Sequence, residues 1–153
     1  MIFVPQKFLL RVNEEAKTAY PRECCGLFAG LPEDKNGDIA VTRMRASRNI
    51  AEDDRHDRFE IDPETRFELM RDIGEFDRID GNAQGEERII GHYHSHPDHP
   101  ARPSAYDLEM AFEADLFWMI VSVEDGQATT TSIHRLDATR QQFREVAFTA
   151  GEI

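Results

Sequence analysis

A chain of 153 residues and 17.6 kDa has room for one hydrophobic core, so residues 1–153 are expected to form a single domain; 40% hydrophobic and 31% charged residues is globular composition. The net charge of −12 opposes phosphate backbones and anionic lipid, so neither nucleic acid nor a membrane is an expected partner. The longest nearly unbroken apolar stretch, Leu116 to Val123, falls far short of the roughly 20 residues of a membrane-spanning helix, and no secretory signal is legible, which predicts a cytoplasmic protein.

Lys7, Lys17 and Lys35 are the only lysines among 18 basic residues. An acidic surface poor in lysine fits a salty cytoplasm, where screening relieves self-repulsion, and it equally fits an ordinary acidic protein. Cys24 and Cys25 are adjacent. Neighbours on a strand point to opposite faces, so two reduced, buried thiols are expected.

Pro5 suits a helix start, and Phe8, Leu9, Val12, Ala16 and Ala19 follow at helical spacing until Pro21. Cys24 to Leu31 reads as a buried strand, with Ile39 to Ser47 as its hairpin partner across a turn-rich link. Asn49 to Arg58 is a charged loop that either lines a substrate groove or is merely solvated. A short strand is expected over Phe59 to Ile61. Asp62-Pro63 then caps a second helix carrying Phe67, Met70, Ile73 and either Phe76 or Asp77.

Gly81 to Glu86 reads as a mobile loop and Arg88 to His96 as a strand. Pro97, Pro100 and Pro103 keep the following stretch irregular. Ser104 to Ala114 reads as a third helix and Leu116 to Val123 as a buried strand. Asp125-Gly126 is a two-residue hairpin turn into Ala128 to Leu136, and Phe143 to Phe148 adds a last edge strand. Helices mixed with mostly hairpin-linked strands make an α+β domain.

Four of the six histidines, His92, His94, His96 and His99, cluster at the end of the predicted strand. Alternate residues of a strand share a face, so His94 and His96 can converge on one ion. Asp107, in the first turn of the next helix, is the best third ligand. Two imidazoles and a carboxylate suit zinc and leave a fourth position for water, which implies hydrolysis. His92 shares the face and is a rival ligand, but a supporting or core role is preferred. His99 reads as facing solvent or substrate, and His56 and His134 as surface residues. Ser104 and Asp107 also fit a Ser-x-x-acid capping box, and at this level capping and metal binding by Asp107 exclude one another.

The run His94-Ser95-His96-Pro97, then Ser104, then Asp107, with Glu23-Cys24-Cys25-Gly26 upstream, resembles the JAMM motif of the JAB1/MPN/Mov34 metalloproteases. The resemblance covers roughly Phe8 to Leu136 and is nearest to a small bacterial branch acting on ubiquitin-like sulfur-carrier proteins. It implies a cytidine-deaminase-like fold, a mixed sheet flanked by helices, with one zinc ion per chain at a sheet edge. His94, His96 and Asp107 would be the ligands, Glu23 the proton carrier, and Ser104 the donor to the oxyanion. The position of His92 is usually large and apolar or aromatic in that family.

The implied activity is cleavage of a peptide or isopeptide bond after the C-terminal Gly-Gly of a carrier, whose tail would add as a strand beside the zinc. A catalytically silent MPN scaffold and a general zinc peptidase are the alternatives. A nucleobase deaminase would share the fold, but its His-x-Glu and Pro-Cys-x-x-Cys pattern is absent.

Overall fold

The computed structural model describes residues 1–52, 58–75, 87–109, 111, 113, 115–137, 139 and 141–151. The readings placed on His56, Phe76, Asp77 and Gly81 to Glu86 lie outside the described residues. In chain order the elements are β1 (Ile2–Val4), α1 (Gln6–Ala19), β2 (Cys25–Gly30), β3 (Ile39–Ser47), α2 (Pro63–Asp72), β4 (Arg88–Pro97), α3 (Ala105–Glu109), β5 (Phe117–Glu124), β6 (Gln127–Asp137), β7 (Gln142–Val146) and β8 (Phe148–Ala150). The strands form one mixed sheet in the order β7-β6-β5-β4-β2-β3-β1-β8, which makes the fold α+β.

The two faces of the sheet are read off neighbouring residues. On β2, Phe28 joins the core built with Val12 and Ala16 of α1, whereas Leu27 and Ala29 pack with Leu69 of α2 and with Ile73. On β4, Tyr93 belongs to the α1 side. Alternation then turns His92, His94 and His96 toward the α2 side. α1 ends at Ala19, ahead of Pro21, whose ring has no place in a helix interior. Asp62 caps α2 by accepting the Glu64 N–H at 3.0 Å. At the tip of the β5–β6 hairpin, Asp125 and Gly126 both have positive φ, 50° and 78°, the pairing a tight right-twisted hairpin needs. Both cysteines are free and buried.

Several elements differ from expectation. β1 was not anticipated at all; it runs parallel to both β3 and β8. Phe59 to Ile61 forms no strand, only a single bridge between Ile61 and Asn49, because the segment packs its aromatic ring on the histidines instead of joining the sheet. The third helix keeps only Ala105–Glu109 among the described residues. The expected last strand divides in two: β7 pairs with β6 and β8 with β1, at opposite ends of the sheet, with Ala147 between them. The Ala147 carbonyl accepts the Ile2 N–H at 3.1 Å. This final run therefore ties the two ends of the sheet together instead of forming one edge.

Candidate metal centre

The final turn of β4 and the start of α3 bring three side chains together. His94 Nε2 and His96 Nε2 lie 3.0 Å apart. Asp107 places Oδ2 3.2 Å from His96 Nε2 and Oδ1 3.4 Å from His94 Nε2. Glu23 joins from the start of β2: one ligand atom each from Glu23, His94 and His96 fall within 4.8 Å of one another. All four side chains are buried.

Backbone contacts fix this arrangement. Ser95, between the two histidines, accepts the Cys24 N–H on its Oγ at 2.8 Å and donates its own N–H to the Cys24 carbonyl at 3.2 Å. That pins the chain beside Glu23. The Asn49 amide donates to the Glu23 carbonyl at 3.1 Å and to the Arg58 carbonyl at 2.9 Å, so it clamps the strand start to the incoming loop. Phe59 stacks on the His94 ring, with centroids 4.2 Å apart and planes 15° from parallel. Ser95 stands in the sequence as part of the His94-Ser95-His96-Pro97 run, but the roles of all three residues stay hidden there because their partners are distant in the chain.

The tautomer of His96 tests whether the group suits a cation. Its Nδ1 lies 2.9 Å from the Pro100 carbonyl, which can only accept, so Nδ1 carries the proton. Nε2 is then the ring atom that faces Asp107 and His94. Two imidazoles and a carboxylate gathered at one buried spot form a donor set suited to zinc. Burial would raise the Asp107 carboxyl, but the facing imidazoles of His94 and His96 and the Ser104 N–H outweigh it and hold it well below the usual carboxylate range. Burial likewise pushes the His94 imidazole down.

Ser104 and Asp107 do form a capping box. The Ser104 N–H donates to Asp107 Oδ2 at 2.8 Å, and Ser104 Oγ accepts the Asp107 N–H at 3.0 Å. Asp107 thus caps α3 with the same carboxylate that faces the two histidines. His92 stands outside this group. Its ring lies edge-on to Trp118 with centroids 4.2 Å apart, in the wall of a separate apolar cavity of about 330 Å³, and burial pushes its pKa down to about 3.

His134 is not a surface residue; it is 5% exposed. Ser132 gives its hydroxyl proton to the Ala101 carbonyl, and its oxygen lies 2.8 Å from His134 Nε2. Ser122 donates to the His99 carbonyl at 2.6 Å, and Tyr20 to Asp98 at 2.6 Å. These bonds hold the proline-rich loop that presents the Pro100 carbonyl to His96.

In front of the donor group lies a cleft of about 480 Å³ whose walls include Glu23, Arg58, His96, His99, Arg102, Ser104 and Tyr106. His99 is exposed there. The group does not lie at a sheet edge, contrary to expectation: β4 is flanked by β2 and β5, paired with Cys25 opposite His94 on one side and up to Pro97 on the other. With both sides taken, β4 has no open backbone there to which a further strand could add.

A family model described as prokaryotic homologs of the JAB domain matches residues 5–137. A desampylase of Haloferax volcanii is 30% identical over 139 residues, spanning 91% of this chain and 86% of that protein. Among solved structures, a protein of Desulfitobacterium hafniense superposes with a TM-score of 0.77 at 28% identity, over all of this chain and 94% of its own. A JAB1/MPN domain protein of Archaeoglobus fulgidus shares the fold, with a TM-score of 0.58 at 16% identity over 99% of each chain. No described helix is long and apolar enough to cross a membrane.

Proposed function

Because the chain belongs to the family of prokaryotic JAB-domain proteins, we propose that it is a zinc-dependent metallopeptidase. It hydrolyses the peptide or isopeptide bond that follows the C-terminal Gly-Gly of a ubiquitin-like sulfur-carrier protein. The observation that carries this reading is the convergence of His94 Nε2, His96 Nε2 and the Asp107 carboxylate beside Glu23. The desampylase relative supports an isopeptidase-type reaction on a ubiquitin-like protein.

In this reading His94, His96 and Asp107 hold one zinc ion. When bound, the ion supplies Lewis-acid polarisation of the scissile carbonyl and a lowered pKa for water. Glu23 takes a proton from the attacking water and delivers it to the departing amine nitrogen. Ser104 Oγ already accepts the Asp107 N–H, so its own hydroxyl proton remains to be given to the developing oxyanion. The Pro100 carbonyl keeps His96 in the tautomer that presents its lone pair. Glycines before the scissile bond let an extended tail lie close to the cleft floor.

The test is mass spectrometry of Gly-Gly carriers bearing short C-terminal extensions, incubated with zinc-loaded protein. Cleavage immediately after Gly-Gly is expected, with about one zinc per chain, lost in the His94→Ala, His96→Ala double variant. Glu23→Gln keeps zinc and lowers turnover by a factor on the order of 10²–10⁴. Scattered cuts in unfolded casein with none after Gly-Gly, or zinc retained by the double variant, would overturn the proposal.

A further inference from the structure

A side chain outside the donor group reaches both of its flanks. Asn49 stands two residues past the end of β3 and uses the whole hydrogen-bonding capacity of its amide. Nδ2 donates to the Glu23 carbonyl at 3.1 Å and to the Arg58 carbonyl at 2.9 Å, and Oδ1 accepts the Ala51 N–H at 3.1 Å and the Glu60 N–H at 3.0 Å. The two carbonyls can only accept and the two N–H groups can only donate, so the partners fix which end of the amide is which. The contacts to Arg58 and Glu60 hold the peptide groups on either side of Phe59. The backbone adds a bridge from Asn49 to Ile61 and a bond from the Ile50 N–H to the Glu60 carbonyl at 3.0 Å. Phe59 is therefore gripped before and after, and its ring is the one stacked on His94.

The contact to Glu23 matters for a second reason. One peptide plane joins Glu23 to Cys24, and it is held at both edges: Asn49 takes its carbonyl, and Ser95 Oγ takes its N–H at 2.8 Å. Ser95 lies between the two histidines of the donor group. With that plane fixed, the Glu23 side chain leaves the backbone in one direction, toward His94 and His96. We propose that Asn49 is a positioning residue for this centre, a single amide that sets Glu23 through its carbonyl and steadies His94 through Phe59, so that acid and ligand keep their mutual distance. For the duty of Glu23 the inference rests on the hydrolytic reading. A general base must lie within hydrogen-bond reach of the proton it takes, and a misplacement of about 1 Å caused away from the chemistry can cost on the order of 10²-fold in rate.

Asn49→Asp is the deciding variant, because it is close in shape and keeps both accepted N–H bonds while losing both donors. With zinc-loaded protein and a Gly-Gly carrier bearing a short extension, it is expected to lower kcat by about 10- to 100-fold with KM within about twofold of wild type. In metal-free protein the His94 ring protons, shielded by the Phe59 face in the wild type, should move downfield in its NMR spectrum toward their position in Phe59→Leu. An amide that only closed its own loop would be replaced well by aspartate, so an unchanged kcat overturns the proposal whatever happens to the thermal midpoint. A fallen kcat with the His94 signals unmoved overturns it as well, since the two arms would then not share one joint. If the variant does not fold, the wild type decides: both side-chain N–H protons of Asn49 are expected to exchange slowly with water, and fast exchange of the pair overturns the joint. If wild-type protein cleaves no carrier, the hydrolytic reading fails and the duty given to Glu23 fails with it. The His94 and exchange measurements need neither zinc nor substrate, and they still decide the hold on Phe59.

Discussion

The Ser104 hydroxyl accepts the Asp107 N–H at 3.0 Å, and an accepting hydroxyl still has a proton to donate. Its two duties can be separated. Glycine at an N-cap costs only a few tenths of a kcal/mol relative to serine, so Ser104→Gly should shift the melting temperature by no more than about 2 °C. Its kcat should fall by a factor on the order of 10²–10³ with little change in KM, since the oxyanion exists only near the transition state. A variant that melts early yet turns over normally would leave Ser104 with capping alone. The sequence pattern set capping against metal binding at Asp107; a carboxylate has two oxygens and several lone pairs, and here it caps α3 while facing both histidines. His134 was misread. Its partners are Ser132, on the same face of β6, and the Ala101 carbonyl, 33 residues away, and only the first is visible in local sequence.

At the scale of elements, β4 carries most of the site and β2 locates it. Gly26 pairs with Tyr93 in register, and a Cβ added there would meet the Tyr93 ring at 2.3 Å. Tyr93 is fully buried and lies between His92 and His94 in the chain, so the ring cannot give way without disturbing the histidines. Gly26→Ala should cost about 1–3 kcal/mol, seen as an earlier thermal midpoint. It should also weaken zinc retention, measured by metal analysis after dialysis; full retention would show that the strand absorbs the strain elsewhere. The long elements were legible because each spans several periods of its pattern: α1, the β2–β3 and β5–β6 hairpins, and β4 with its alternating histidines. β1 and β8 have three residues each, too few to show a period, and each is specified by a partner at the other end of the chain. Phe59 to Ile61 has the composition of a strand, but composition does not say that the ring will be used against His94. The expected sheet-edge position of the donor group failed because strand order is not written in any one segment.

For the molecule as a whole, the excess of carboxylates sets a condition on stability. Raising ionic strength from 0.1 M to 1 M shortens the screening length from about 10 Å to about 3 Å, which weakens both the net repulsion and exposed ion pairs such as Arg66–Glu113. Such pairs are worth at most about 1 kcal/mol each, whereas the repulsion acts among all charges of a chain at −12. The thermal midpoint should therefore rise with added potassium chloride; a midpoint that stays flat or falls would show that local pairing dominates. The pairing of β1 with β8 bears on how the molecule is made. Ile2, Phe3 and Val4 lie opposite Phe148, Thr149 and Ala150, so a chain growing from its N-terminus produces the first of these strands long before the second. While the ribosome is still translating the remainder, one side of β1 has no hydrogen-bonding partner, and Ile2 and Val4, buried in the finished protein, stay within reach of chaperones. Pairing across so long a separation is slow to form. A nascent chain stalled before Phe148 therefore displays an open strand and the apolar side chains of Ile2 and Val4.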